Sequence, residues 1–366
     1  MSKVLFLVNH EVVIYNFRLE IVERLLADGH EVIISSPYGE KIEDLKKMGC
    51  KYKEINLVRH GLNPFHELGL IIAYKKLMKE VKPDMVFSFT IKPNLYGALV
   101  CNLLNIPFVA NITGLGTAIE NGGILQKVLT HVNKIAFAKV QRVFVQNEEN
   151  KRFFVDNNIA VDKLKLIPGS GVSLERFAPI EYPTEEKPIE FAFISRIMKE
   201  KGIDQYLEAA AIIRDKYPRT VFHVCGFCEA EYEGRLKEFA DKGIVNYHGM
   251  VRDIKEILKD VSCVIHPTYY PEGISNVLLE SAACARPIIT TNRAGCREVI
   301  DDGINGFIVE QKNSRDLVEK IVKFISLPHF HKKQMGLAGR RKVENTFDRQ
   351  IVVEAYVSEL HKINHV

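Results

Sequence analysis

The sequence predicts an α/β protein built from two doubly wound domains, each a parallel sheet covered by helices. Three observations carry that prediction. Short apolar runs alternate with amphipathic helical stretches along nearly the whole chain, which is the rhythm of βαβ units. The rhythm pauses over residues 168–188, where Pro168, Pro179, Pro183, Pro188 and the Glu185-Glu186-Lys187 run interrupt it. It then restarts, and a chain of 366 residues is long enough for two such domains with substantial cores.

The first apolar run, 4–8, follows Lys3 and stops at Asn9-His10-Glu11. It is too short for the core of a signal peptide and reads as the opening strand. Further strands are expected at 31–35, 85–88, 108–111, 142–146 and 164–167, with helices between them, so residues 1–175 form the first domain. The proline-rich 168–188 stretch reads as the interdomain linker. Beyond it, strands are expected at 191–195, 221–224, 245–247, 263–266, 287–290 and 306–309, within a second domain of residues 188–345.

Composition narrows the function classes. Hydrophobic residues make up 46% of the chain, yet no apolar run approaches the roughly 20 residues that span a bilayer. With neither a leader nor a span, the expected location is the cytoplasm. The net charge is +4, and residues 1–175 carry 22 Lys/Arg against 18 Asp/Glu, a difference of +4 that accounts for all of it. No basic clusters interleave with aromatics, which excludes nucleic-acid binding as the main activity. Seven cysteines, odd in number and scattered, are no disulfide framework. Cys225-Gly226-Phe227-Cys228 has no second pair at zinc-ligand spacing and reads as two small thiols at a strand end.

The chemistry concentrates in two motifs. In Pro271-Glu272-Gly273-Ile274-Ser275-Asn276-Val277-Leu278-Leu279-Glu280, a loop carboxylate and a glycine lead into a helix that carries the second carboxylate. From Ile274 to Glu280 the helix rises about 9 Å, comparable to the span from a ribose across a diphosphate to a sugar. The N–H groups of Ile274, Ser275 and Asn276 at its start can hold an anion, helped by the helix dipole. The competing reading is one carboxylate on the helix dipole and one in solvent.

In the second motif, residues 191–204, a strand ends at Ser195 and Arg196 and Lys201 precede a helix that begins near Gly202. Arginine presents a fork that fits phosphate oxygens and lysine a compact charge. Two cations at a strand's carboxyl end, facing a helix N-terminus, make a diphosphate cradle. The competing reading is a solvated basic turn. No Asp-x-Asp occurs anywhere in the chain, so the expected site is metal-independent and needs no cofactor besides its donor substrate.

Together the E-x(7)-E and R-x(4)-K motifs resemble glycosyltransferase family 4, the retaining nucleotide-sugar transferases of GT-B fold. The resemblance covers nearly the whole chain. It extends to Tyr15-Asn16-Phe17-Arg18-Leu19, Gly29-His30-Glu31-Val32, Gly61-Leu62-Asn63-Pro64, Thr90-Ile91-Lys92-Pro93-Asn94, Ile112-Thr113-Gly114-Leu115-Gly116 and Ile167-Pro168-Gly169-Ser170-Gly171-Val172. The chain looks like the bacterial branch that extends polyprenyl-diphosphate-linked sugars in capsule, O-antigen or glycoprotein glycan assembly. The resemblance implies two Rossmann-like domains facing a central cleft, with a last helix, 349–363, crossing back to the first domain.

It further implies a donor site in the second domain. Glu280 would hold the ribose, Glu272 the donor sugar, and Arg196 and Lys201 the diphosphate, with Gly273, Ile274, Ser275 and Asn276 lining it. The His248-Gly249-Met250-Val251 turn would meet the base, through Val251; His248 itself reads as packing or a turn hydrogen bond. The first domain would take the acceptor, and there the chain departs from its relatives. Asn9-His10-Glu11-Val12 lacks their glycine-rich turn, so His10 either touches phosphate or acceptor or is an exposed loop residue. Thr113-Gly114-Leu115-Gly116-Thr117 stands where many relatives carry a histidine, which leaves the acceptor-side base open. Thr113, Gly114 and Asn16 count as acceptor-side positions. Lys92 and Asn94 either bind the acceptor diphosphate or simply start a helix.

The expected reaction is transfer of a sugar, an N-acetylhexosamine, from a UDP-sugar to a polyprenyl-diphosphate-linked acceptor. A helix around 124–141 places Lys127, His131 and Lys134 on one face with Leu125, Val128, Leu129 and Val132 nearby. That face either docks on anionic lipid at the inner side of the plasma membrane or is the solvated side of a core helix. Alternatives for the whole chain are another nucleotide or a soluble acceptor, a GT-B-fold UDP-sugar epimerase, and a non-catalytic scaffold. The geometry above sets one carboxylate on the ribose, which disfavours two-carboxylate glycoside hydrolysis.

Overall fold

A computed structural model describes residues 1–57, 64–116, 119 and 122–363. The Gly61-Leu62-Asn63 part of one matching stretch and Thr117 lie outside the described residues. The chain divides into two units, Met1–Gly171 with Arg349–Val366, and Val172–Asp348.

In the first unit, strands β1 (Lys3–Leu7), β2 (Glu31–Ser36), β3 (Lys51–Glu54), β4 (Met85–Phe89), β5 (Phe108–Ile112), β6 (Arg142–Val145) and β7 (Leu164–Leu166) form one parallel sheet in the order β3-β2-β1-β4-β5-β6-β7. The central strands are mainly apolar and, Lys3 apart, buried; sheets covered on both faces require this. On one face, Phe87, Phe89 and Phe144 pack around Tyr356 of helix Arg349–Ile363, whose hydroxyl accepts from Asn111 Nδ2 at 2.6 Å. On the other, helix Ile91–Leu104 lies between helices Pro64–Val81 and Gly123–Ala136. Strand β3 was not among the expected strands. Its sequence, Lys-Tyr-Lys-Glu, sits on the sheet edge with three residues exposed, so no apolar run marks it.

The second unit holds β8 (Ile189–Ile194), β9 (Thr220–Cys225), β10 (Asn246–Tyr247), β11 (Cys263–His266), β12 (Ile288–Thr291) and β13 (Gly306–Val309), parallel in the order β10-β9-β8-β11-β12-β13. The unit begins at Val172, and most of the stretch read as a linker is part of it. Val172 and Phe177 are in its core. The fully buried Arg286 donates to the carbonyls of Ile180 and Glu181 and lies against the Tyr182 ring. The prolines break the βαβ rhythm there without releasing the chain from the fold. Strand order reverses between β8 and β11, and the crevice at such a switch point, beyond the carboxyl ends of the strands, is where open α/β sheets bind ligands.

Candidate active site

Both chemical motifs lie at that switch point. The loop after β8 carries Arg196 and Lys201, and the loop after β11 carries Glu272. The two loops are joined by backbone: Glu200 O accepts from Tyr269 N at 2.8 Å and from Thr268 Oγ1 at 3.2 Å. Gly202 caps helix Ile203–Lys216 at φ +79°, and a Cβ there would collide with the Pro267 carbonyl. A neighbouring contact fixes Arg196. Gly226, at φ +140°, lies flush against the Ser195 carbonyl, while Ile197 N donates to Phe227 O at 2.8 Å and Glu229 N to Ile197 O at 3.1 Å. The Cys225–Cys228 turn thus braces the Arg196 loop with its backbone. Both thiols are buried, and burial pushes that of Cys225 up to about 12.

The side chains converge on Tyr270, which the sequence analysis did not single out. The Lys201 ammonium lies 4.8 Å and the Arg196 guanidinium 5.7 Å from its ring centre. Lys201 Nζ also pairs with Glu272, and these side chains are only 11% and 14% exposed. Arg196 is 51% exposed, with Glu229 3.6 Å away. Burial pushes the Lys201 ammonium down to about 8, and the Arg196 charge adds to the shift; the Glu272 carboxylate opposes it. The arrangement holds two cations of different character, one sequestered and one open, beside a carboxylate that neutralises the first.

The helix of the first motif is Asn276–Ala283, capped by Ser275 in an extended conformation. It begins two residues later than expected, and this corrects the anion reading at one position. Ser275 N donates to Gly295 O at 2.8 Å, so its N–H is engaged within the protein. The reason is local: Gly273 and Ile274 are buried, and the chain runs past Gly295 before it turns helical. Asn276 and Glu280 are on the helix and half-buried. Behind the helix start stands His266, at the end of β11, fully buried with Nε2 3.3 Å from Ser275 Oγ and with no partner for Nδ1 among the described residues. Burial, with the Lys201 charge, holds its imidazole well below the usual range. Its apolar strand context hid it from sequence reasoning. Val251 is half-buried in the loop after β10.

The acceptor-side candidates do not form a comparable group. Lys92 pairs with Glu67 at 2.6 Å, both largely buried. Asn94 is buried and donates to Asn111 O at 2.7 Å. Both lie in the first turn of helix Ile91–Leu104, with their side chains engaged within the first unit. Thr113 and Gly114, with Asn94, line a cavity of about 30 Å³, room for a water and not for a sugar. His10, at the end of β1, contacts the buried Glu11 at 2.7 Å and is partly exposed. Asn16 is exposed on helix Val12–Phe17.

Comparison with known proteins agrees with this fold. Residues 176–342 match the family model described as glycosyl transferases group 1, and residues 3–147 match that described as glycosyl transferase 4-like. The chain belongs to the family 4 glycosyltransferases, and it is a glycosyltransferase of GT-B fold. A relative from Campylobacter jejuni is N,N'-diacetylbacillosaminyl-diphospho-undecaprenol alpha-1,3-N-acetylgalactosaminyltransferase, 27% identical over 94% of each chain. Among solved structures, a glycosyltransferase from Rickettsia africae superposes with TM-score 0.80 at 21% identity, covering 99% of this chain and 98% of that one. Anabaena HepE in complex with UDP superposes with TM-score 0.80 at 15% identity, over 99% of this chain and 100% of that one.

Proposed function

We propose that this glycosyltransferase moves an N-acetylhexosamine from a UDP-sugar to a polyprenyl-diphosphate-linked glycan, with retention and without a metal ion, in the assembly of a cell-envelope or glycoprotein glycan. The observation that carries the donor reading is the Arg196–Lys201 pair over Tyr270 at the β8–β11 switch point. The acceptor reading is supported by the Campylobacter jejuni relative, whose name specifies an undecaprenol-diphosphate-linked substrate. The UDP reading is supported by the HepE complex.

In this account the donor diphosphate takes Lys201 and Arg196 as counter-ions, and Glu280 holds the ribose. As the glycosidic bond breaks, negative charge grows on the UDP leaving group. Preorganised donors aimed at such charge are each worth roughly 10² to 10³ in rate, and the two cations neutralise it in place of a bridging metal. Glu272, released from Lys201 by the diphosphate, turns to the sugar hydroxyls. The acceptor hydroxyl attacks from the face the leaving group departs and passes its proton to the departing phosphate oxygen, which retains configuration.

A membrane-borne acceptor calls for peripheral contact at the inner face of the plasma membrane. No helix among the described residues is long and apolar enough to cross a membrane. Helix Gly123–Ala136 instead turns Ile124, Leu125, Val128 and Ile135 outward, Ile124 with 83% exposure, alongside the exposed Lys127 and Lys134. Apolar insertion flanked by cations suits an anionic lipid surface. A thermal-shift screen across UDP-, GDP- and ADP-sugars tests the donor reading. UDP-sugars raise the melting temperature according to RT ln(1 + [L]/Kd); a larger shift with GDP- or ADP-sugars refutes it.

A further inference from the structure

Away from the cationic loops, three titratable side chains on three adjacent strands of the second unit are joined in a line. Glu190 on β8 lies 2.7 Å from His223 Nε2 on β9, and His223 Nδ1 lies 2.9 Å from Nε2 of His248, directly after β10. Strand register explains the line: His223 is paired with Ala192 and Asn246, so Glu190 and His248 fall on its face from either side. Glu190 and His223 are largely buried, and His248 is exposed at the carboxyl edge.

The order of partners fixes where the protons sit. A carboxylate only accepts, so His223 Nε2 carries its hydrogen. In the neutral tautomer that this selects, His223 Nδ1 is a lone pair and His248 Nε2 must donate to it. His248 Nδ1 is therefore left as a lone pair, and it has no partner among the described residues. Partial burial and the His223 ring beside it hold the His248 imidazole below its usual range.

The position of that lone pair matters. His248 N donates to Val224 O, and Gly226 N donates to Gly249 O at 2.8 Å; Gly226 in turn rests on Ser195, next to Arg196. His248 thus stands at the carboxyl edge of the same sheet as the Arg196 loop, on the β9–β10 side. A UDP-sugar with its diphosphate at β8–β11 would lay its base there. Uracil presents one ring N–H, at N3; cytosine has a bare lone pair at the same atom. We propose that His248 Nδ1 accepts the uracil N3–H of the donor and that Glu190 and His223 are positioning residues that lock it as an acceptor, so the relay selects UDP over CDP. The proposal rests on the nucleotide-sugar reading above.

Calorimetry with UDP and CDP at about pH 8 tests it, on wild type, His248→Ala, His223→Leu and Glu190→Gln. Wild type prefers UDP. His248→Ala lowers UDP affinity by about tenfold, the worth of one hydrogen bond, leaves CDP unchanged, and so erases most of the preference. His223→Leu frees either tautomer of His248 and relaxes the UDP-to-CDP ratio while total nucleotide affinity changes little. Glu190→Gln does the same more weakly. A wild type that prefers UDP with a ratio unmoved by His248→Ala and His223→Leu overturns the proposal alone. A wild type that binds GDP or ADP better than UDP overturns the nucleotide reading and the proposal with it. If His223→Leu melts early, the ratio in His248→Ala, a surface change, decides the matter.

Discussion

Lys201 and Glu272, 71 residues apart, form an ion pair that is nearly out of reach of solvent. Family resemblance assigns them to different parts of the donor, the diphosphate and the sugar. Their pairing means that these parts engage one coupled unit. Under the proposed function, a diphosphate arriving at Lys201 would displace Glu272 and release it toward the sugar. Removing one member of such a pair leaves the other buried and uncompensated, which gives the two carboxylates of the E-x(7)-E motif opposite signatures.

Glu280→Ala removes a ribose contact common to UDP and UDP-sugar, and UDP affinity falls by about 10- to 150-fold, the worth of a hydrogen bond to a charged group. At about pH 6, below the alkaline decline expected from Lys201, Glu272→Ala removes a competitor for Lys201, so UDP binds as tightly as before or several-fold tighter, while sugar transfer is lost. Calorimetry with UDP on both variants, beside a transfer assay, separates the roles. Comparable loss of UDP affinity in both variants refutes the assignment.

The Lys201 ammonium, lowered to about 8 by burial, predicts an alkaline limit on donor binding. Above that pH the residue sheds its proton, the cradle loses a charge, and UDP affinity declines. Lys201→Arg moves the decline beyond the measurable range because guanidinium does not titrate there. Glu272→Gln, which withdraws the opposing carboxylate, moves the decline to lower pH. Kd for UDP from about pH 6.5 to 9.5 reads all three; a flat wild-type profile contradicts the account.

His266 makes stability acid-sensitive. Its folded pKa lies well below the ordinary value of 6.5 because the ring is buried beside Lys201. The unfolded chain therefore takes up a proton that the folded chain refuses. The associated stability is present above about pH 6.5 and is lost as pH falls from there toward the folded pKa. Melting curves from about pH 7.5 to 5 should fall more steeply in wild type than in His266→Gln, and parallel curves would show that the imidazole contributes nothing.

Gly226→Ala places a methyl group against the Ser195 carbonyl at a positive φ. It should cost about 1–3 kcal/mol, displace Arg196 and weaken UDP binding. Gly243→Ala, at φ +66° with nothing within 4 Å of its Cβ, carries the conformational cost without the collision and leaves UDP binding intact. Urea denaturation and calorimetry on the pair distinguish strain from contact.

Lys127→Glu with Lys134→Glu should reduce sedimentation with vesicles of one-third phosphatidylglycerol (roughly; enough for a negative surface potential) without altering UDP affinity. Ile124→Asp should act the same way by removing the outermost apolar side chain of the helix. Unchanged vesicle binding in both leaves the face a solvated one.

Much of this was legible in the sequence because burial writes itself into apolar runs. The central strands of both sheets, such as Val4 to Leu7 and Val264 to His266, stand out for that reason. Strand β3 does not, since Lys51 to Glu54 bury little. The start of the helix at Asn276 was missed by two residues because Gly295, which holds Ser275 N, is distant in sequence. Arg196, Lys201 and Glu272 were visible as residue types at a spacing; the Tyr270 ring shared by the two cations and the Lys201–Glu272 pair were not, because which loops meet depends on strand order. The Glu190–His223–His248 line depends on register across three strands, which no local pattern encodes. The Glu67 and Asn111 partners of Lys92 and Asn94 were not legible either, because a cation and an amide near a strand end carry no mark of what they pair with.

The central claim is that Arg196 and Lys201 stabilise a UDP leaving group in place of a metal ion. The most direct measurement is the rate of sugar transfer from a UDP-N-acetylhexosamine to a polyprenyl-diphosphate-linked acceptor in excess chelator, for wild type and for Arg196→Ala/Lys201→Ala. The account predicts that wild-type turnover persists in chelator and that the double variant, still folded, is slower by at least about 10²-fold. Wild-type turnover that vanishes in chelator and returns with magnesium or manganese, or a double variant that keeps the wild-type rate, would contradict it.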